Sequence, residues 1–301
     1  MVSLDSMKSV VNIFIIFFSI FIVFSCNDNE NIRPSNQESV LQLRCDPIPI
    51  VRIGFIGLGQ RGSEAVKRYT YLDDVNIKAI CDIEKEKVDN IQRLLTERGL
   101  SKADEYVGEY QWKKLCERDD IDLVYICTDW LKHARMAVYA MEHGKHVAVE
   151  VPAATTVKDC WNLVNTAERT QRHCMMLENC CYDFFELNSL NMIKDGIIGE
   201  VIHGEGAYIH DLRELYFSAL DKNASNNIGL WRLKFKEEHT GNPYPTHGLG
   251  PICQAMNIHR GDKMNYLVSV SSKQLGMTEY AKRIFGKNSP ESLCPYKLGD
   301  M

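Results

Sequence analysis

A glycine pattern stands between an apolar, strand-like run and a helix-like run, and it limits the folds that this sequence can adopt. Val51–Ile56 is followed by Gly57, Gly59 and Gly62, and Asp82 stands twenty residues beyond the last glycine. In such a loop the first glycine permits a tight turn, the second lets the backbone approach a pyrophosphate, and the third lets the helix pack on the strand. The helix N-terminus then faces the anion. The pattern predicts a dinucleotide-binding site.

Asp82 is predicted to select the ribose of the bound dinucleotide. Residues 75–81 form a second apolar run, which we interpret as a buried strand that carries Asp82 at its tip. A carboxylate there accepts hydrogen bonds from both hydroxyls of an unphosphorylated ribose and repels a 2′-phosphate, which favours NAD over NADP. The alternative is a solvated aspartate that merely ends a strand.

The composition narrows the class of protein. The chain has 301 residues, 45% of them hydrophobic and 25% charged, which is long enough for two packed domains. Its formal net charge is −5 and it has no dense Lys/Arg block, so electrostatics give no case for a nucleic-acid partner. A small-molecule substrate is therefore expected.

The N-terminal segment differs in kind from the rest. Residues 10–24 are almost wholly apolar, Lys8 precedes them, and Cys26 follows with a polar run. This layout is typical of a secretory signal, and the run is shorter than the roughly 20 residues of a membrane-spanning helix. We expect residues 1–25 to be a lipoprotein signal peptide and Cys26 to be lipidated. Residues 26–47 are expected to be a tether, and the chain to be exported and anchored to a bacterial membrane on its periplasmic or cell-surface side.

Strand and helix patterns alternate after residue 48, which predicts an α/β fold built on a doubly wound parallel sheet. We expect an NAD-binding Rossmann domain over residues 48–179 and a partial α/β substrate domain over 180–301. In the second domain the pattern predicts a helix over 184–194, an alternating segment over 200–210 and a strand over 266–271.

Ligands bind at the carboxyl ends of strands in such a sheet, so residues after each predicted strand are candidates for cofactor contacts. Those after the later strands would reach the nicotinamide half. A helix-N-terminal histidine without a role is the alternative for His133. The predicted cofactor-binding residues are Gly57, Gly59, Gln60, Arg61, Gly62, Asp82, Trp130, Leu131, Lys132, His133, Glu150, Val151 and Asn179.

Four motifs and a strand that ends in Glu-x-Pro at Glu150 carry a resemblance to a known family. The motifs are MAVYAMEHGKH at 136–146, ENCCYDFFEL at 178–187, EGAYIHDLR at 205–213 and GNPYPTHGLGP at 241–251. From about residue 48 onward the chain resembles the family 109 glycoside hydrolases, within the Gfo/Idh/MocA oxidoreductases. The resemblance implies an α-N-acetylgalactosaminidase that keeps NAD bound. Members of that family are longer, which predicts that this chain stops before its second domain does.

The resemblance also implies a reaction and a set of site residues. The sugar C3 hydroxyl is oxidised, the C1 aglycone is eliminated, water adds back, and C3 is reduced again, with retention and no net use of NAD. His247 is the implied base, because histidine side chains change charge near neutral pH, and Tyr244 is its partner in proton handling. No metal is predicted. The implied substrate-binding residues are Tyr208, Arg232, Tyr244, Pro245, Thr246 and His247.

Two other functions stay open at this point. One is an NAD-dependent sugar or inositol dehydrogenase. Val151 argues against it, because the dehydrogenases of the superfamily usually have a proton-transferring lysine there. The other is an inactive fragment that binds NAD or sugar without turnover. Tyr208 could instead be a packing residue and Arg232 a surface ion-pair residue. The expected partners are a glycan that ends in α-N-acetylgalactosamine and the membrane, with a homo-oligomer left open.

Overall fold

The computed structural model describes residues 34, 36–218, 231–232, 235–236, 239, 242, 244–272 and 276–286. Contacts divide the chain into the units Met1–Gln37 and Glu38–Met301, and every element described below belongs to the second. The predicted signal segment 1–25 and Cys26 lie outside the described residues. In the part of the chain that the structure describes, no helix is both long and apolar enough to cross a membrane.

Six parallel strands form one sheet. They are β1 (Val51–Ile56), β2 (Val75–Asp82), β3 (Asp104–Val107), β4 (Leu123–Ile126), β5 (His146–Val149) and β6 (Cys174–Met176). Their order across the sheet is β3-β2-β1-β4-β5-β6, so the strand order reverses between β1 and β4. A ligand crevice forms outside the carboxyl ends of the strands at such a switch point. The predicted α/β fold with a doubly wound parallel sheet is confirmed.

Helices connect the strands and continue the chain beyond the sheet. They are α1 (Gln60–Tyr69), α2 (Lys85–Glu97), α3 (Gln111–Cys116), α4 (Trp130–Glu142), α5 (Val157–Thr170), α6 (Phe184–Lys194), α7 (Arg213–Ser218), α8 (Pro245–Ala255) and α9 (Gly276–Phe285). A short 3-10 turn, Asn179–Cys181, follows β6.

The core lies on both faces of the sheet because successive strand residues point to opposite sides. In β4, Val124 and Ile126 belong to a cluster that contains residues of α3, α4 and α5, whereas Tyr125 belongs to a second cluster with residues of α1 and α2. Strands buried on both faces read as continuous apolar runs, which is why most of them could be predicted from the sequence. The edge strand β3 was not predicted, because its sequence, DEYV, contains no such run.

The prediction of a strand over 266–271 is wrong, since residues 263–272 have no regular secondary structure and Val270 is 91% exposed. The alternating segment 200–210 likewise forms no strand. A strand is held by backbone hydrogen bonds to a neighbouring strand. Among the described residues beyond 179, no ladder of this kind forms.

Candidate functional site

The glycine loop between β1 and α1 has the backbone geometry of an anion site. Gly57 has a φ of +89°, and a Cβ there would lie 2.6 Å from the carbonyl oxygen of Cys127. A Cβ on Gly62 would lie 1.9 Å from the carbonyl oxygen of Gly57, whereas a Cβ on Gly59 would have no heavy atom within 4 Å. The first and third glycines are therefore required by the packing of the loop itself, while the space over Gly59 is free for a ligand.

The N-terminus of α1 adds positive electrostatic character to this loop. Gly59 is the N-cap residue and provides no side-chain cap, and the first turn holds no acidic residue. The first backbone N–H groups of a helix have no partner within the helix, and the helix dipole favours an anion beside them. Loop and helix together fit the pyrophosphate of a dinucleotide.

Asp82 lies at the carboxyl end of β2 and holds the glycine loop in place. Its Oδ2 accepts a hydrogen bond from the backbone N–H of Leu58 at 2.7 Å, and its Oδ1 accepts one from the backbone N–H of Glu84 at 3.0 Å. The carboxylate is buried and borders the same cleft as the glycines. A carboxylate has lone pairs beyond these two bonds, which leaves capacity for ribose hydroxyls.

One cleft of about 990 Å³ contains both the predicted cofactor residues and the predicted substrate residues. This volume is in the range of about 300–1,000 Å³ that is usual for small-molecule sites. Four predicted residues do not line it, namely Gly62, Leu131, whose side chain is 59% exposed, and Pro245 and Thr246 at the start of α8. The other predicted site residues outside the N-terminal segment do line it.

Trp130 joins the two halves of the cleft through aromatic packing. It is the first residue of α4 and is buried. Its ring makes edge-on contacts with Trp231, Phe235 and Tyr244, at centroid distances of 4.8, 5.0 and 5.1 Å. Edge-to-face pairs at this separation are favourable. Trp130, Trp231, Phe235 and Tyr244 together form an aromatic wall. The last three residues lie 101 to 114 positions after Trp130, so no local sequence signal indicated this wall.

Both ring nitrogens of His133 contact backbone carbonyl groups. It is 1% exposed, with Nδ1 placed 2.8 Å from the carbonyl oxygen of Pro152 and Nε2 placed 3.0 Å from that of Thr128. Burial lowers the pKa of His133, which favours the neutral ring with its single N–H donor. The ring therefore packs between the loop after β4 and the loop after β5, and its one N–H donates to one of the two carbonyls. The neighbouring Lys132 pairs with Asp129 at 2.7 Å.

Glu150 connects the end of β5 to the glycine loop. Its Oε1 accepts hydrogen bonds from the hydroxyl of Tyr125 at 2.8 Å and from Nε of Arg61 at 2.9 Å. Arg61 belongs to the first turn of α1. The ion pair thus fixes the start of that helix against the switch point, and Val151 and Asn179 complete the lining on this side.

Three ring side chains that were predicted to bind substrate lie at one end of the cleft. The ring of His247, in the first turn of α8, stacks on Tyr244 at a centroid distance of 5.2 Å and contacts Tyr208 at 4.6 Å. Two glycines bring these segments together, since a Cβ on Gly206 would lie 2.1 Å from the carbonyl oxygen of Gly248. The resemblance implied the three ring residues, and the structure brings them within contact of one another.

Arg232 stands beside this cluster with an unused donor. Its guanidinium lies 4.8 Å from the ring centroid of Trp231, and its Nε is buried without a hydrogen-bond partner. Burial raises the pKa of Tyr244, and the charge of Arg232 and its hydrogen bond to Tyr244 partly oppose that shift. The Tyr244 hydroxyl is accordingly neutral and able to donate at physiological pH.

Glu178 and Cys180 belong to the site although they were not among the predicted site residues. Glu178 Oε1 lies 2.6 Å from Nδ1 of His247, and Cys180 Sγ lies 3.6 Å from the same nitrogen. In the part of the chain that the structure describes, these three residues are the one group whose ligand atoms could surround a metal ion. Two ligands about 2.0 Å from one zinc in tetrahedral geometry are about 3.3 Å apart. The distance of 2.6 Å is that of a hydrogen bond. Glu178 lies two residues after the end of β6, so the strand-end rule indicates it together with Asn179.

Comparison with family models divides the chain in two. Residues 51–178 match the NAD-binding Rossmann fold of the Gfo/Idh/MocA oxidoreductase family, and residues 182–301 match the C-terminal domain of glycosyl hydrolase 109. The first of these domain types binds a nicotinamide dinucleotide. The glycine loop and Asp82 described above are consistent with that cofactor class.

Curated relatives are similar over most of this chain. An alpha-N-acetylgalactosaminidase of Bacteroides fragilis is 58% identical over 269 residues, which cover 89% of this chain and 63% of the relative. A glycosyl hydrolase family 109 protein of Phocaeicola vulgatus is 55% identical, with 87% and 63% covered. This chain therefore spans less than two thirds of the length of these relatives. Among solved structures, a scyllo-inositol dehydrogenase of Lactobacillus casei aligns with a TM-score of 0.44 and 18% identity over 50% of this chain and 43% of its own.

Proposed function

Because the chain belongs to the glycosyl hydrolase 109 family, we propose that it is an NAD-dependent glycosidase that releases terminal α-N-acetylgalactosamine. The observation that carries the proposal is the shared cleft, in which a dinucleotide-type glycine loop and the cluster of Tyr208, Tyr244 and His247 line one space. A hydrolase that used only acid and base groups would have no need for the glycine loop. The shared cleft favours a cycle in which oxidation and bond cleavage occur at neighbouring carbons of one sugar.

NAD rather than NADP is the proposed cofactor. The support is Asp82, whose buried carboxylate borders the cleft and would repel a 2′-phosphate. When bound, the nicotinamide supplies reversible hydride acceptance at the sugar C3. The residues of the chain then act on protons and orientation.

His247 is the proposed base for the sugar C2 proton. Oxidation at C3 makes that proton acidic, so a histidine is a sufficient base. The Nδ1 atom of His247 is occupied by the contact with Glu178, which leaves Nε2 for the substrate. Loss of the C2 proton and departure of the C1 aglycone follow, and this route needs no pair of carboxylates around the glycosidic bond.

The remaining side chains bind and orient the sugar. The neutral hydroxyl of Tyr244 exchanges a proton with a sugar oxygen, and the unpartnered Nε of Arg232 donates to another. Tyr208 adds a hydroxyl and a ring face. Val151 stands where the dehydrogenases of the superfamily usually have lysine, which supports a cycle other than net alcohol oxidation.

The test follows two signals in one reaction of the full chain with NAD and an aryl α-N-acetylgalactosaminide. We expect aglycone release without net accumulation of reduced nicotinamide, and a much slower reaction with NADP. Reduced nicotinamide that accumulates with uncleaved, oxidised sugar would identify a dehydrogenase instead, and the absence of both signals in NAD-loaded protein would refute the proposal.

The His247→Ala variant tests the proposed base. We expect aglycone release to fall at least about 100-fold, the lower end of the usual contribution of general base catalysis. Cofactor binding, followed by quenching of tryptophan fluorescence, should be unchanged. Full aglycone release by His247→Ala would eliminate His247 as the base.

We also propose that the chain is exported and anchored to a membrane by lipid on Cys26, on the strength of the signal-like residues 1–25. A Cys26→Ser variant should lose incorporation of an alkyne-labelled fatty acid. Equal labelling of both proteins would exclude Cys26 as the attachment site.

A further inference from the structure

Glu178 is buried to an unusual degree for a carboxylate, since it is 3% exposed, and it lies behind His247, which lines the cleft. It lies two residues after the end of β6, and its Oε1 accepts a hydrogen bond from the backbone N–H of Cys180 at 3.0 Å. The same oxygen lies 2.6 Å from Nδ1 of His247, which is 69 residues further along the chain. Its Oε2 is buried and has no hydrogen-bond partner. A buried carboxylate is costly unless its charge is matched by a partner.

The close approach of α8 to this carboxylate depends on a glycine in α8. Gly250 lies one helical turn after His247, on the same face of α8. A Cβ on Gly250 would lie 2.8 Å from Sγ of Cys181 and 3.2 Å from Cγ of Glu178. The absence of a side chain at this position lets the helix rest on the turn after β6. The contact between Glu178 and His247 is therefore part of the packing of α8 on the Rossmann domain.

We propose that Glu178 is a positioning residue that fixes the tautomer and the charge of His247, an inference that rests on the proposed glycosidase function. A carboxylate can only accept hydrogen bonds, so Nδ1 of His247 carries the hydrogen and Nε2 presents its lone pair to the cleft. When Nε2 takes the C2 proton, the C2–H bond breaks, an N–H bond forms, and the electron pair moves into the enolate of the C3 ketone. The imidazolium that results is stabilised by the charge of Glu178, in the manner of the carboxylate in a catalytic triad.

The other groups that face the imidazole do not supply this charge. They are Cys180 in the turn after β6, Tyr208 in the segment before α7, and Tyr244 at the start of α8. Desolvation by burial raises the pKa of both Cys180 and Tyr244, so both are neutral at pH 7. A carboxylate effect on His247 is thus specific to Glu178 within this set.

The kinetic test uses Glu178→Gln, which retains an oxygen that can accept from Nδ1 but removes the charge. We expect kcat to fall at least about 100-fold with KM within about threefold, because the loss is confined to proton transfer. The acid limb of the kcat/KM profile should move to lower pH, because the imidazolium loses its stabilising partner. Glu178→Asp keeps the charge and should keep the acid limb within about 0.5 pH unit of the wild type.

Glu186→Gln is the matched control, since Glu186 Oε2 is likewise buried without a hydrogen-bond partner. This control should keep the kcat and the acid limb of the wild type. If the wild type cleaves substrate and Glu178→Gln matches it in kcat and acid limb, Glu178 has no positioning role although the proposed function stands. If the wild type does not cleave substrate, the proposed function fails, and a second measurement decides about Glu178.

That second measurement does not need turnover. The chain has nine histidines, which can be labelled with ¹⁵N in the full chain and the His247 signal assigned by its loss in His247→Gln. We expect the neutral ring of His247 to carry its hydrogen on Nδ1 and to titrate at lower pH in Glu178→Gln than in the wild type. A wild-type hydrogen on Nε2, or an unchanged titration in the variant, would overturn the inference.

Discussion

Single glycine residues in the loop after β1 have different surroundings, and substitution should separate their roles. A Cβ on Gly59 meets no heavy atom within 4 Å, and its φ of −63° suits alanine. In Gly59→Ala the free energy of unfolding without cofactor should change by less than about 1 kcal/mol, the usual scale of an N-cap change. The affinity for NAD should fall at least about tenfold, because the methyl group occupies the approach to the pyrophosphate.

Gly62→Ala is the companion variant. Its Cβ would lie 1.9 Å from the carbonyl oxygen of Gly57, so the fold itself must shift. We expect a loss of about 1–3 kcal/mol in the free energy of unfolding, as for other overpacked sites. Urea denaturation of cofactor-free protein and calorimetric titration with NAD measure the two quantities. An equal loss of stability in both variants would contradict the assignment of free space to Gly59.

At the scale of single elements, α5 depends on its first hydrogen bond. The Thr156 hydroxyl oxygen accepts from the backbone N–H of Asp159 at 3.1 Å, and the hydroxyl donates to the Asp159 carboxylate at 2.8 Å. Thr156→Ala should lower the free energy of unfolding by about 1 kcal/mol in urea denaturation. The control is Thr96→Ala in the last turn of α2, where the hydroxyl donates only to the carbonyl of Gln92 in the same helix, and stability should stay equal or rise because alanine has the higher helix propensity. A loss of stability in the control as large as that in Thr156→Ala would show that the cap contributes no more to the free energy of unfolding than the other threonine does.

For the molecule as a whole, ion pairs at the amino-terminal ends of the strands should make the free energy of unfolding depend on pH. The hydrogen bond from Arg118 lowers the pKa of Asp120 to about 2, and the one from Arg52 lowers the pKa of Asp122. In the unfolded chain both carboxyl groups would have a pKa of about 3.9. The folded protein therefore binds fewer protons in this range, and the stabilisation present above about pH 4 is lost as pH falls towards about 2.

The variant that checks this dependence is Asp122→Asn. It should lower the free energy of unfolding at pH 7 and flatten its decline between about pH 4 and about pH 2, because one titrating partner is gone. The same change at the exposed Asp73 should alter neither the value nor the slope. A slope in Asp122→Asn as steep as in the wild type would contradict the assignment.

The Rossmann part and its cofactor residues could be predicted because their signals are local. Apolar runs give the buried strands, and β1 was predicted with its observed limits. Asp82 and Glu150 follow from the rule that ligands bind at the carboxyl ends of parallel strands. The strand predicted over 266–271 failed because an alternating pattern gives a strand only where a second strand pairs with it.

The strands that are buried on both faces, the glycine turn and the acidic residue at the tip of β2 can be read from the sequence, since each depends on neighbours within a few positions. The folded chain alone shows that Glu178 meets His247 across 69 residues, that Trp130 packs on Tyr244, and that both nitrogens of His133 face backbone carbonyls. These contacts join segments far apart in the chain. Their geometry is set by how closely α8 and the aromatic wall pack on the sheet, a property of side-chain volume and burial that no local pattern encodes.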